Sequence, residues 1–149
     1  LRGDATLGTN RPSLALGTTG DITIGASWML AHLSIANSSA ASNAVVTAGQ
    51  RNTFVNVKVV NKSTSANLAA IAASINNALF NVEAISYRGR AVNIAGKIFI
   101  AGSYFHDSDI GIRCAVDDVI VIVDSIPSCF VDGLGVGCVH AARDHPCGQ

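Results

Sequence analysis

Short runs in which apolar and polar residues alternate recur along the chain. Five similar phrases occupy residues 32–37, 56–61, 81–86, 102–107 and 119–124. Each predicts a short strand that ends on Asn, Ser or Asp, because alternation is typical of a half-buried strand and these polar residues favour turns. The phrase starts are separated by 24, 25, 21 and 17 residues, the length of one solenoid turn with variable loops. The phrases therefore predict successive coils.

Two further series of apolar segments run out of phase with the first. One comprises residues 44–46, 69–71, 91–94 and 110–112, and the other comprises 52–54, 78–80 and 97–99, just before first-series phrases. Each coil is therefore expected to hold at least two strands joined by polar corners. Stacked coils bring like strands to about 4.8 Å from each other, so that like side chains form ladders. We expect one corner ladder from the residues that end the phrases: Asn37, Asn61, Ser86, Asp107 and Asp124.

The structural alternative is an α/β domain with a helix over residues 65–79, which are rich in Ala and carry Leu68, Ile71, Ile75 and Leu79 at helical spacing. The alignment of this stretch with non-helical segments such as residues 90–96 favours strands. We predict an all-β right-handed parallel β-helix of about five coils with irregular ends. Because solenoid ends need covering, residues 1–20 and the Cys-containing residues 127–149 are expected to be caps or junctions around coils at 21–126.

A family resemblance rests on residues 77–83 and 102–112. These phrases resemble the coils of the pectin-lyase-like right-handed β-helix superfamily, and the resemblance covers roughly residues 20–126. The superfamily includes polysaccharide lyases, polygalacturonases, pectin methylesterases, phage tailspikes, virion fibres and bacterial adhesins. The resemblance implies the fold and leaves several functions open, since one fold carries many activities.

Composition narrows the classes of partner. Apolar residues make up 49% of the 149 residues but aromatics only 5%, and ten basic residues balance ten acidic ones. Without a net basic charge we expect no nucleic-acid partner. Apolar runs such as residues 119–123 are far shorter than the about 20 residues of a membrane-spanning helix, so we expect no membrane span. The chain starts with Leu1 and lacks the order of a signal peptide, so we interpret it as a fragment or a processed product.

The densest polar segment is residues 106–109, followed by Arg113 and the pair at 117–118. Paired carboxylates can act as acid and base in glycoside hydrolysis, and an Arg beside them suits the binding or deprotonation of a uronic acid. Resemblance to the Asn-Thr-Asp-Gly-Ile phrase of polygalacturonases implies a catalytic role for Asp109. In polygalacturonases an Asp-Asp pair follows that aspartate about one coil later, and a Gly-His-Gly comes further on. Here the pair at 117–118 follows Asp109 after only eight residues, and the sequence has no Gly-His-Gly.

Asp107, Asp109 and Arg113 are thus the catalytic candidates under an enzyme hypothesis. The other interpretation is a solvated turn, in which Asp and Ser side chains cap backbone groups. The resemblance to pectin methylesterases is no closer than that to polygalacturonases, because residues 87–90 stand where pectin methylesterases have Gln-Asp-Thr.

Metal and thiol chemistry stay open at this point, and no cofactor is expected. Several oxygen ligands would suit calcium, and the candidates are Asp107, Asp109, Asp117 and Asp118. A transition metal could use His140, His145, Cys138 and Cys147. Buried or free thiols and one or two disulfides are alternatives for Cys114, Cys129, Cys138 and Cys147. Asn37 and Asn61 each begin an N-glycosylation triplet, a pattern that is frequent by chance.

Few aromatic side chains are present to bind sugar rings: Trp28, Tyr87 and Tyr104. We expect Trp28 to pack over the open end of the stack. The leading hypothesis is a structural or attachment module of a virion fibre, tailspike, decoration protein or surface adhesin, at a virion or cell surface or outside the cell. Its expected partners are copies of itself, as a trimer, or other subunits. The alternatives are a polysaccharide-degrading enzyme or a fragment of one, and a relative with a weak polysaccharide-binding face.

Overall fold

Parallel strands wind around one axis, three to each turn. The computed structural model describes residues 11–18 and 20–114, and the backbone of strands at 120–123, 126–127, 131–133 and 138–141. Every third strand pairs in parallel with its equivalents in the neighbouring coils, which gives three six-stranded sheets. No helix occurs among the described residues. The prediction of an all-β parallel β-helix of about five coils is confirmed.

We name the sheets I, II and III in the order in which each coil enters them. Sheet I contains β1 (Ser13–Leu16), β4 (Ser34–Asn37), β7 (Lys58–Asn61), β10 (Glu83–Ser86), β13 (Tyr104–His106) and β16 (Ile126–Pro127). Sheet II contains β2 (Ile22–Ile24), β5 (Val45–Thr47), β8 (Ala69–Ala73), β11 (Arg90–Ile94), β14 (Ile110–Cys114) and β17 (Val131–Gly133). Sheet III contains β3 (Met29–Ala31), β6 (Thr53–Val55), β9 (Asn77–Phe80), β12 (Ile98–Ala101), β15 (Ile120–Val123) and β18 (Cys138–Ala141).

The core lies on the axis, where each strand points alternate side chains inward. In sheet I the inward file is Ile35, Val59, Ala84 and Phe105, and all four are fully buried. The corresponding buried file of sheet III is Leu30, Phe54, Leu79 and Ile100. Apolar burial at about 25 cal/mol per Å² therefore stabilises every coil, while the intervening side chains point outward.

The strand series of the sequence fall where they were expected, with one exception. Phrases 32–37, 56–61, 81–86 and 102–107 contain sheet I strands, and the other two series lie in sheets II and III. The fifth phrase was assigned wrongly, because Ile120–Val123 pairs with Ile98–Ala101 in sheet III. A run of Val and Ile suits any of the three sheets, and the sheet I strand starts later, at Ile126. Residues 65–79 contain β8 and part of β9, so the helix alternative is excluded.

The polar corner between sheets I and II is confirmed as a ladder over three coils. Asn37, Asn61 and Ser86 are in register and fully buried. The expectation for Asp107 is wrong, because that residue is exposed. Ser108 accepts a hydrogen bond from the backbone N–H of Ser86 at 2.8 Å. Asp124 lies outside the described residues.

Burial also explains the two glycosylation triplets. The Asn37 amide donates to the carbonyl of Asn43 and the Asn61 amide to that of Ala69, each at 2.8 Å. Their side-chain oxygens accept from the backbone N–H of Ser39 and Ser63 at 2.9 and 3.1 Å. The Asn-x-Ser pattern is here a turn motif within the ladder, and neither amide is accessible for modification in the folded chain.

The corner between sheets III and I turns on one left-handed residue in each of four coils: His32 (φ 55°), Asn56 (φ 53°), Asn81 (φ 51°) and Gly102 (φ 57°). Asn and Gly adopt this conformation more easily than other residues. Asn81 donates to Asn56 across the coils at 3.1 Å, and Asn56 lies 3.0 Å from His32 Nδ1. These contacts link the coils along the edge of both sheets.

Parallel pairing extends into the segments expected to be caps. Ser13–Leu16 pairs with Ser34–Asn37, and β16 to β18 pair with β13 to β15. Trp28 directly precedes β3, at the position that Asn52 and Asn77 occupy in later coils, and its side chain is 52% exposed. In the described part of the chain, no helix is long and apolar enough to cross a membrane.

Candidate functional site

The three residues proposed from the sequence lie around one corner of the column. Asp107 directly follows β13, with φ 50° and a side chain 73% exposed. Asp109 is exposed just before β14, and Arg113 lies half-buried within β14, opposite Asn93 of β11. Among the described residues no ion pair joins Arg113 to either aspartate. Asp107 instead belongs to a different group of side chains, on the outer face of sheet I.

This group, which we call the polar cluster, comprises Lys58, Glu83, Tyr104, His106 and Asp107. The first three are in register on consecutive strands. Lys58 Nζ donates to Glu83 Oε1 at 2.9 Å, and His106 Nε2 lies 3.0 Å from the same oxygen. His106 Nδ1 lies 2.9 Å from Asp107 Oδ2, and its ring stacks on that of Tyr104 with centroids 4.2 Å apart. A continuous polar row thus crosses three coils.

Electrostatics within the cluster favour the charged form of Glu83. Partial burial raises the pKa of this carboxyl, but the hydrogen bonds and the charges of Lys58 and His106 lower it by more, and the pKa lies below its ordinary value of 4.5. Only 29% of the Glu83 side chain is exposed. Glu83 therefore stays ionised in neutral solution and can accept both hydrogen bonds.

The placement of His106 between two carboxylates gives the cluster acid–base capacity. A protonated imidazole donates from both ring nitrogens, whereas a neutral one donates from only one. An imidazole held by hydrogen bonds on both ring nitrogens can pass a proton from one partner to another. The exposed Tyr104 ring adds an apolar surface beside these groups, with 45% of the residue accessible.

Sequence reasoning missed Lys58 and Glu83 as site residues and named Tyr104 only as a possible sugar-binding ring, although a signal for all three existed. Each is the third residue of its phrase, so aligning the phrases predicts that the three side chains lie side by side. A search for motifs close in sequence does not find residues that are one coil apart. The three candidates for a sugar-binding ring are likewise spread out, since Tyr87 and Trp28 lie outside the polar cluster.

The outer face of sheet III is different in character, and we call its side chains the apolar face. On the four strands whose side chains are described, its outward residues are Met29, Ala31, Thr53, Val55, Ala78, Phe80, Phe99 and Ala101, of which Ala31 is buried. Phe80 and Phe99 are 38% and 37% exposed, and their rings contact each other with centroids 5.4 Å apart. Strands β3, β6, β9 and β12 carry no charged residue. This face is therefore a largely apolar strip with two contacting aromatic rings at its centre.

The proposed metal sites gain no geometry from the described residues. Within residues 11–18 and 20–114, no group of three or more His, Cys, Asp or Glu side chains could hold a metal ion. Asp117 and Asp118 of the calcium hypothesis lie outside the described residues, as do Cys129, His145 and Cys147. Only the backbone of Cys138 and His140 is described, in β18. Cys114 is buried at the end of β14.

Comparisons of the chain with protein-family models, with curated proteins and with solved structures find no match. The function proposed for the chain therefore rests on its fold and on its two contrasting outer faces.

Proposed function

We propose that the chain is a structural or attachment module that works within an assembly, as a β-helical segment of a virion fibre, tailspike, decoration protein or surface adhesin. Its partners are copies of itself or other protein subunits, and its location is a virion, a cell surface or the extracellular space. Membership of the pectin-lyase-like superfamily is part of this proposal and is supported by the parallel coils with polar corner ladders.

The apolar face is the observation that carries the proposal. Apolar side chains scattered singly over a surface are normal, whereas contiguous apolar patches more often mark contacts with other macromolecules. Here Met29, Phe80 and Phe99 lie on the outer face of sheet III, and the corners at both ends of its strands carry polar side chains. A strip without charged groups suits contact with another apolar surface better than binding of a polar ligand.

The interior supports the same role, because its polar side chains join one coil to the next. Asn52 N–H donates to Asn77 Oδ1 at 2.9 Å, and Ser63 donates to the carbonyl of Ala40 at 2.9 Å. The side-chain oxygens of Thr47 and Ser74, which belong to neighbouring coils, are 3.0 Å apart. Hydrogen bonds of this kind resist separation of the coils, which is what a load-carrying fibre requires.

Sedimentation velocity over a wide concentration range tests the proposal. We expect association of the purified chain, with an average mass that rises with concentration. A chain that remained monomeric at every concentration, and did not bind subunits encoded with it, would contradict an assembly role.

The polar cluster supports a second candidate, a carbohydrate-active enzyme that acts on acidic polysaccharide. The specific observation is that His106 lies between the carboxylates of Glu83 and Asp107, near the exposed Asp109. Product release from polygalacturonate or a capsular polysaccharide, lost in Asp109→Asn or His106→Ala and kept in Asp21→Asn, would favour the enzyme. Asp21 is an exposed acid next to β2 and serves as the matched control.

A further inference from the structure

The centre of the apolar face is a two-by-two pattern of large and small side chains. On β9 the outward residues are Ala78 and then Phe80, and on β12 they are Phe99 and then Ala101. The register places Phe99 beside Ala78 and Ala101 beside Phe80. The two rings meet along one diagonal, and the two alanines form hollows on the other. Each large residue thus has a small one next to it both along the strand and across the strands.

This arrangement is complementary to itself under a two-fold rotation about an axis parallel to the column. Such a rotation turns a second copy face to face and reverses the strand direction, while it keeps every coil at the same height. Phe80 of one copy then lies opposite Ala78 of the other, and Phe99 lies opposite Ala101. Rings fill hollows on both sides, which gives the close packing that specific interfaces require.

The borders of the apolar face add no charge complementarity to this arrangement. Exposed Arg51 and Lys97 lie just before β6 and β12, whereas Asn56 and Gly102 lie just after the same two strands. Because the rotation keeps the height of each coil, Arg51 of one copy lies opposite Asn56 of the other, where Arg11 already donates to Asn56 Oδ1 at 2.6 Å, and Lys97 lies opposite Gly102. The fit of the two copies therefore comes from the rings and hollows and not from charge. The formal net charge of zero adds no long-range repulsion between copies.

We propose that the apolar face binds a second copy of this chain, in a parallel two-fold dimer centred on Phe80 and Phe99. The inference rests on the proposed assembly role. It specifies a second copy as the partner and two-fold symmetry, in place of the trimer expected from the sequence. Over its four described strands the face is about 10 Å wide and about 15 Å long, from the usual spacings within and between strands. A contact of this size lies far below the about 800 Å² per partner of a standard interface, so we expect weak, reversible association.

Sedimentation velocity of four variants tests the dimer. Phe80→Asp places a charge at the centre and is expected to weaken association by at least about tenfold, as for other interface anchors. Tyr87→Asp is the matched control, because Tyr87 is 54% exposed and lies away from this face. Ala101→Phe adds apolar surface yet fills a hollow, so we expect it to weaken the dimer. Non-specific hydrophobic association would instead become stronger.

The fourth variant exchanges the residues of one strand, as Ala78→Phe with Phe80→Ala. In the parallel dimer each ring still faces an alanine, so association is expected to persist. In an antiparallel dimer Phe at 78 would meet Phe99, and association would be lost. Circular dichroism checks the folding of each variant. If Phe80→Asp does not fold, Ala101→Phe and the exchange decide the question, since they keep the face apolar.

The outcomes separate this inference from the broader proposal. A chain that associates equally well with Phe80→Asp, or that forms trimers, overturns the two-fold dimer and leaves an assembly role standing. Loss of the dimer in the exchange variant overturns the parallel orientation. A chain that is monomeric throughout overturns the dimer, and it overturns the assembly role as well if the chain also binds no other subunit.

Discussion

The outer faces of sheets I and III rest on the same kind of interior and differ in almost every other respect. Beneath the polar cluster the inward residues include Val59 and Phe105, and beneath the apolar face they include Phe54 and Leu79, all fully buried. Outward, sheet I carries an ionic row and sheet III carries contacting aromatic rings. The inward half of each strand therefore determines the column, and the outward half is free to determine what each face contacts.

Truncation of the interior should cost the same beneath both faces. Phe54→Ala and Phe105→Ala each remove a fully buried ring, and we expect a loss of about 3–5 kcal/mol in the free energy of unfolding. Phe99→Ala, on the outside of sheet III, is expected to cost below about 1 kcal/mol. Urea denaturation measures all three. A loss for Phe54→Ala as small as that for Phe99→Ala would contradict the register of sheet III.

The second-largest effect is expected at the buried corner ladder. Asn61→Ala leaves the backbone N–H of Ser63 without its side-chain acceptor, while the carbonyl of Ala69 loses one donor and keeps the N–H of Ala44. One unsatisfied buried group costs about 1–3 kcal/mol, so we expect a loss of about 1–3 kcal/mol in thermal or urea unfolding. The exposed neighbour Lys62→Ala is the control and should be nearly neutral. Equal effects of the two substitutions would show that the ladder does not stabilise the column.

At the border between the two faces, Gly102 tests the left-handed corner. Nothing lies within 4 Å of a Cβ built there, and its φ is 57°, so conformation rather than space sets the cost. Gly102→Val should lose about 1–2 kcal/mol, because a branched residue is strained in this region. Gly102→Asn should be close to neutral, as Asn56 and Asn81 occupy the same position. Similar thermal midpoints for the Val and Asn variants would contradict this account.

The fold could be predicted from the sequence because the inward residues and the corners repeat. Asn37 and Asn61 end two phrases and lie in register, which is what a ladder requires. The prediction was wrong at residues 119–124, where an unbroken apolar run carries no marker of which sheet it belongs to. The segments 52–54, 78–80 and 97–99 each end on phenylalanine, which wrongly suggests that the three rings occupy equivalent positions. Phe54 is equivalent to Leu79 rather than to Phe80, so Phe54 points inward while Phe80 and Phe99 point outward.

The candidate site was less predictable, for a physical reason. Glu83 contacts Lys58 and His106, which are 25 and 23 residues away, because winding brings together residues one coil apart. A pattern read within a few residues found Asp107, Asp109 and Arg113 but not these neighbours. The two-by-two pattern of the apolar face depends likewise on the register between β9 and β12, which no single phrase contains.

The smallest expected effect distinguishes the polar face by its response to pH and salt. The folded pKa of Glu83 lies below its ordinary value of 4.5, so its ionised form stabilises the folded chain. That contribution is complete above the ordinary value and is lost as the pH falls through the lower folded one. Because the group is partly exposed and screened by solvent, Glu83→Gln should cost only about 0.5 kcal/mol at neutral pH.

Urea unfolding of wild type and Glu83→Gln at several pH values and salt concentrations measures this difference. The gap between the two chains should close in acid and shrink in about 1 M salt, where charges are screened within about 3 Å. Phe99→Ser is the control on the apolar face, and its effect on stability should stay constant under both changes. If Phe99→Ser responded to pH as Glu83→Gln does, the chemistry of the two faces would not be independent, and the separation between column and surface would fail.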